Sequence, residues 1–138
     1  MVNYWIFAFS EYSDFAIGSA EELFNRVARD KRWRLGRNAQ NRLQTRKGDQ
    51  VIFLKTGGQE FLADAVLDSE LQSPCDGEIF RFVLLSNLHQ WANPLPIKML
   101  VKRLSFQKQK SQTQCYFQMA IRRITKTDYE NLLAQANT

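Results

Sequence analysis

Residues 32–38 read Arg-Trp-Arg-Leu-Gly-Arg-Asn, and the organisation of the chain is best worked out from this stretch. It follows a predicted helix and leads into a predicted turn, so its side chains need not all face a core. An aromatic ring flanked by cations and hydrogen-bonding groups suits a planar ligand attached to phosphates, as a nucleobase is. The alternative is that Trp33 fills a core and the arginines are solvated.

The residues before this stretch predict one strand and one helix. Asn3–Phe9 is rich in aromatic and branched residues, which favours a strand buried on both sides. Ser19-Ala-Glu-Glu22 forms a capping-box pattern, and Leu23, Phe24, Val27 and Ala28 follow at helical spacing. Arg29, Lys31 and Arg32 then fall at the helix end, where cations suit the helix dipole.

The residues after it predict mainly strands. Lys47-Gly-Asp49 is typical of a turn, and Thr56-Gly-Gly-Gln59 of a hairpin connection. The predicted strands are Gln50–Lys55, Glu60–Leu67, Ile79–Leu85 and Cys115–Ile124. The other predicted segments are short helices at Asn38–Thr45 and Ile97–Arg103, an irregular connection at Asn87–Pro96, and a final helix opened by a capping box at Thr127–Glu130.

Five short strands with a helix near each end predict a barrel-like α+β fold. The strands do not alternate regularly with helices, which argues against a doubly wound sheet. With 138 residues and no internal linker, we expect a single domain spanning residues 1–138.

The cations are concentrated in two segments. Of the 19 Lys and Arg residues, 18 lie in residues 26–47 and 81–126, whereas residues 49–78 carry seven acids and only Lys55. If the two segments meet in the fold, they form a basic face suited to a phosphate backbone. The alternative is two solvated faces that point in different directions.

Cysteine and histidine are too scarce to indicate a metal or cofactor site. Cys75 and Cys115 are isolated, which is consistent with a reducing cytoplasm, and His89 is the single histidine. The N-terminus resembles a strand more than a signal peptide, and no apolar run is long enough to span a membrane. We therefore predict a cytoplasmic protein with no cofactor, no metal and no enzymatic activity.

The tryptophans are the strongest candidates for ligand contacts. Trp5 lies in an apolar strand and is expected in the core, whereas Trp33 and Trp91 have polar neighbours. Brought together, Trp33 and Trp91 would form a slot for a base extruded from its helix. Trp91 packed beneath Asn93–Pro96 is an equally acceptable alternative.

Several segments, in order, resemble the EVE domain of the PUA-like superfamily, which includes the YTH and ASCH domains. These segments are Asn3-Tyr-Trp-Ile6, Trp33 with Gly36-Arg-Asn38, Lys47-Gly-Asp-Gln-Val-Ile-Phe53, Asn93-Pro-Leu-Pro96 and Phe117 through Ile124-Thr-Lys-Thr-Asp-Tyr129. The resemblance implies a pseudo-barrel of five or six strands with flanking helices. It also implies a pocket for a modified base such as methylated or hydroxymethylated cytosine or N6-methyladenine, and Trp33 matches a tryptophan of the YTH aromatic cage.

The resulting hypothesis is a non-catalytic reader of modified DNA or RNA. The resemblance also implies a role in modification-dependent restriction, with a nuclease or NTPase fused or on a separate chain. The expected base contacts are Trp33, Trp91, Asn38 and Leu35, and the expected backbone contacts are Arg32, Arg34, Arg37, Lys55, Lys108 and Lys110.

Two alternatives remain open at this stage. One is an RNA-binding accessory domain that is indifferent to modification. The other is an ASCH-type nucleoside hydrolase, for which Lys55 with Asp49 or Glu60 is the candidate set.

Overall fold

The computed structural model describes residues 2–9, 20–35, 44–55, 60–73, 81–97 and 121–136. Within these ranges lie six strands and two helices. They are β1 (Tyr4–Phe9), α1 (Ala20–Asp30), β2 (Arg32–Leu35), β3 (Gln50–Lys55), β4 (Glu60–Leu67), β5 (Arg81–Pro96), β6 (Ile121–Ile124) and α2 (Lys126–Ala136).

The six strands form one mixed sheet in the order β2-β5-β4-β3-β1-β6, curled into a half-barrel. β1 and β3 run parallel, and the other neighbouring pairs are antiparallel. The predicted α+β pseudo-barrel is confirmed, with six strands. β3 and β4 have the predicted bounds and pair from Lys55↔Glu60 onwards, as expected of a hairpin.

Two hydrophobic clusters cover the two faces of the sheet. Successive residues of β3 alternate between them: Val51 and Phe53 belong to one, and Ile52 and Leu54 to the other. Because successive strand residues point to opposite faces, the clusters lie on opposite sides of the sheet. We call them the α1 face, which includes Val27 of α1, and the α2 face, which includes Leu132 of α2.

The helix α1 leads directly into a strand. It ends at Asp30, and Lys31 adopts a left-handed conformation (φ 55°) that reverses the chain into β2. The predicted turn after the helix is therefore wrong for residues 32–35, which pair with β5. Of the apolar residues at helical spacing, Val27 is buried and Ala28 is exposed.

The cap of the final helix α2 lies two residues earlier than predicted. The backbone N–H of Asp128 donates to Oγ1 of Thr125 (3.1 Å), so Thr125 caps the helix and Thr127 lies inside it. Of the three residues expected to be buried on this helix, Tyr129 and Leu132 are buried and Leu133 is partly buried.

The predicted irregular connection at Asn87–Pro96 is also wrong. The strand β5 runs through it to Pro96 and pairs with β4, with register shifts on both sides of Gln90. Asn87 is left-handed (φ 52°), a conformation that asparagine tolerates better than most residues.

Several expectations fall outside the described residues. These are the helix at Asn38–Thr45 for all but its last two residues, the helix at Ile97–Arg103 after its first residue, and the strand Cys115–Ile124 before Ile121.

Candidate nucleic-acid interface

Trp33 lies on β2, on the α1 face. It stands opposite Val83 of β5, and its ring packs against Phe53 with a centroid separation of 4.5 Å. Only 3% of the residue is exposed. A base could therefore reach this ring only if neighbouring side chains moved.

Trp91 lies on β5, on the α2 face. It is 8% exposed and shares its cluster with Leu95 and Ile97. Its indole N–H donates to Oδ2 of Asp64 on β4 (2.7 Å). This placement agrees with packing beneath the segment that follows it.

The structure does not bring Trp33 and Trp91 together. They belong to separate clusters on opposite faces of the sheet. The expectation of one slot formed by both rings is therefore wrong, because alternation along the strands sends them to different sides. Each ring remains a candidate base contact by itself.

Arg32 points away from Trp33, as neighbouring residues of a strand do. Its guanidinium lies over the ring of Phe82 on β5, 5.5 Å from the centroid. A partly buried cation stacked on an aromatic ring is held in place more firmly than one in free solution. Arg32 is thus suited to contact phosphate, but on the opposite side of β2 from the Trp33 ring.

The other expected contacts are only partly described. Arg34 and Leu35 are the last two residues of β2. Lys55 is the last residue of β3 and pairs with Glu60 of β4. Asn38, Arg37, Lys108 and Lys110 lie outside the described residues.

Cations gather around the end of α1. Asp30 accepts a hydrogen bond from Nε of Arg29 (3.2 Å). This bond, together with the charges of Arg29, Arg32 and Arg26, lowers the pKa of the Asp30 carboxyl. Three arginines around one acid leave a surplus of positive charge, which is the electrostatic requirement for a phosphate contact.

Asp49 is a buried carboxylate that accepts hydrogen bonds from three different residues. It is 1% exposed and accepts hydrogen bonds from the backbone N–H of Asn3 (3.0 Å), the indole of Trp5 (2.9 Å) and the backbone N–H of Arg46 (2.9 Å). It precedes β3, whereas Lys55 ends that strand. At roughly 3.3 Å per residue the two are too far apart to act on one substrate.

Other classes of site find little support in the described residues. No group of three or more His, Cys, Asp or Glu side chains in this part of the chain could hold a metal ion. Among the same residues, neither helix is long and apolar enough to cross a membrane.

No family model matches the sequence, and no curated protein resembles it in sequence. Solved structures do resemble it. Protein Atu2648 from Agrobacterium tumefaciens is 14% identical, with a TM-score of 0.69 over 98% of this chain and 93% of that one. Protein PSPTO5229 from Pseudomonas syringae is 14% identical, with a TM-score of 0.63 over 96% and 99%.

Human THYN1 protein in complex with 5-methylcytosine-containing DNA is a further structural match. It is 13% identical, with a TM-score of 0.65 over 99% of this chain and 98% of that one. The fold is thus a PUA-like pseudo-barrel. More particularly, it is the fold of EVE-domain proteins, among them Atu2648, PSPTO5229 and THYN1.

Proposed function

We propose that this chain is a non-catalytic nucleic-acid reader that lodges a flipped, modified base against Trp33. The base would be a methylated or hydroxymethylated cytosine or N6-methyladenine. The observation that carries the proposal is the likeness, over 99% of the chain, to THYN1 solved with 5-methylcytosine-containing DNA. At this level of identity the likeness establishes the fold alone, so a binding experiment must test the function.

The position of Trp33 supports the assignment of the base contact. It lies just after α1, where the YTH resemblance expects a cage tryptophan, and its ring packs at a tilt of 43° against another aromatic ring, Phe53. A methyl group buried beside such rings contributes about 1 kcal/mol. That is enough for roughly fivefold discrimination between a modified base and its unmodified parent.

The arginines around Asp30 support the backbone contacts. Arg26, Arg29 and Arg32 all lie close enough to lower the pKa of its carboxyl, and they surround the helix end that leads to Trp33. Phosphates bound there would fix the register of the nucleic acid, and the base pocket would supply the specificity. In a modification-dependent restriction system, a fused or separate nuclease or NTPase would then act on the bound site.

Fluorescence titration with matched oligonucleotides tests this proposal. DNA and RNA strands would carry cytosine, 5-methylcytosine, 5-hydroxymethylcytosine, adenine or N6-methyladenine at one site, at fixed salt. We expect tighter binding to one modified form, because its added group gains apolar contact that the parent base lacks. Trp33→Phe should weaken that preference more than it weakens binding overall.

Trp91→Phe is the matched control, since it alters a buried tryptophan on the opposite face. It should leave the preference for modification intact. If Trp33→Phe retained the full preference while still folded, the pocket assignment would be wrong. Equal, salt-sensitive binding to every strand would instead favour a general RNA- or DNA-binding domain.

A further inference from the structure

A β-bulge in β5 determines which side chains reach the α2 face. On β4, Asp64 and Val66 are two residues apart in the sequence. Their partners on β5, His89 and Ser86, are three residues apart. The extra residue falls at or beside Asn87, which has the left-handed backbone (φ 52°). A single inserted residue inverts the alternation of a strand. Leu85 therefore faces α1, whereas Trp91 faces α2.

The same inversion places His89 directly opposite Asp64. Oδ2 of Asp64 lies 3.4 Å from Nδ1 of His89 and accepts the indole N–H of Trp91 at 2.7 Å. Two neighbouring groups on β5 thus converge on one carboxylate oxygen of β4. Bulges commonly re-aim side chains in this way beside functional sites.

The carboxylate retains capacity to bind a ligand. Its other oxygen, Oδ1, accepts no hydrogen bond from the described residues, and the Asp64 side chain is 20% exposed. The His89 side chain is 67% exposed, so its imidazole is open to solvent beside the carboxylate. Tyr129 of α2 is buried nearby, and burial together with the charge of Asp64 raises the pKa of its phenol.

We propose that Asp64 and His89 form a second nucleobase contact on the α2 face, selective for bases that carry an exocyclic amine. The imidazole would stack on an unpaired base, as histidine does in single-stranded recognition. Oδ1 of Asp64 would accept a hydrogen bond from the amine, as acidic side chains do from N4 of cytosine. This inference rests on the proposed function only in taking the ligand to be nucleic acid, because the contact lies across the sheet from Trp33.

The single histidine gives this proposal a specific probe. The imidazole C–H resonances of His89 would be followed by NMR during titration with CMP and, separately, with UMP. The two nucleotides have the same sugar and phosphate. CMP carries a 4-amino group and an unprotonated N3, whereas UMP carries a 4-oxo group and a protonated N3. We expect CMP to shift the His89 signals saturably and UMP to bind roughly tenfold more weakly, because it offers no amine to Oδ1.

Asp64→Asn tests the role of the carboxylate while keeping its shape. The amide can donate to the 4-oxo group of UMP as well as accept, so the preference for CMP should disappear. Because the His89 resonances report on the α2 face, across the sheet from Trp33, the CMP titration is separate from the test of the modified-base pocket. If Asp64→Asn does not fold, the comparison of CMP with UMP on the unaltered protein still decides.

Three results would overturn the proposal. They are equal shifts with CMP and UMP, no saturable shift with either, or an Asp64→Asn variant that is less stable yet keeps the preference. The last result would mean that Asp64 serves only to hold Trp91 through its hydrogen bond and does not contact the base. None of them bears on whether Trp33 recognises a modified base, which the oligonucleotide titration measures.

Discussion

At the scale of single residues, Asp49 shows how one carboxylate can hold several segments together. Its three hydrogen bonds link the residue before β1, the indole of Trp5 and the turn before β3. Gly48 completes that turn with φ 94°, a conformation that side-chain-bearing residues rarely adopt. Because an unsatisfied buried donor costs free energy, the Asp49 network stabilises the junction of β1 and β3.

We predict that Asp49→Asn lowers the free energy of unfolding by about 3 kcal/mol. The amide keeps the size of the side chain but turns an N–H₂ group toward at least one N–H donor, and it removes the charge that strengthens all three bonds. Urea denaturation followed by circular dichroism would measure the change.

Asp68→Asn is the control, because that exposed side chain lies at the end of β4 nearest Asp49. It should change stability by less than about 0.5 kcal/mol. A similar loss of stability in the two variants would mean that the buried hydrogen bonds of Asp49 stabilise the fold no more than an exposed carboxylate does.

At the scale of elements, the start of α2 illustrates a choice that sequence patterns leave open. Thr125 and Thr127 each precede an acidic residue at capping-box spacing, Asp128 and Glu130 respectively. In the fold, the Tyr129 ring packs at a tilt of 47° against Tyr4, with ring centroids 5.0 Å apart, and Leu132 lies in the α2-face cluster. Packing of that helical face fixes the start of the helix at Thr125.

We predict that Thr125→Ala destabilises the protein by about 1 kcal/mol through loss of the N-cap hydrogen bond. Thr127→Ala, two residues further into the helix, should have little effect. Thermal unfolding of the two variants compares them directly. A larger loss for Thr127→Ala would contradict the assignment of the cap.

The strand β5 is a second element whose structure the sequence pattern leaves open. Read as one period-two pattern, residues 81–96 lose their alternation at Asn87, and the prolines 94 and 96 argue further against a strand. The bulge explains the break at Asn87, and the pairing with β4 shifts register a second time between Gln90 and Leu95. A bulged strand therefore looks like a strand followed by a loop.

At the scale of the whole molecule, the cations are the feature most relevant to binding. Arg26, Arg29 and Arg32 lie around Asp30. On α2, Nζ of Lys126 lies 3.9 Å from Oε1 of Glu130. The end of α1 thus gathers three cations around one acid, whereas Lys126 and Glu130 at the start of α2 are one of each. A nucleic acid bound by phosphate contacts should lie along the first of these surfaces.

We predict that Arg26→Gln combined with Arg29→Gln weakens binding to all oligonucleotides alike. Plots of log K against log salt should become shallower by about 2 for duplex DNA, because each substitution leaves one phosphate without its cation. Lys126→Gln is the matched control and should leave the slope unchanged. An equal change in both variants would indicate a diffuse charge effect with no defined backbone path.

The sequence by itself determined the elements whose signals are local. The strands β3 and β4 with their hairpin, the turn at Gly48, the burial of Trp5 and the α+β class all follow from short-range patterns of apolar, turn and capping residues. The resemblance of ordered segments also led to the PUA-like EVE fold, which the solved structures share.

Only the tertiary structure decided how the tryptophans and charges are arranged in space. Trp33 and Trp91 have similar polar neighbours in the sequence, yet they lie on opposite faces. That separation depends on strand pairing and on one extra residue near Asn87, which inverts the alternation of β5 before Trp91. The pairing of His89 with Asp64 has the same origin, because residues 25 positions apart become neighbours only when β5 pairs with β4.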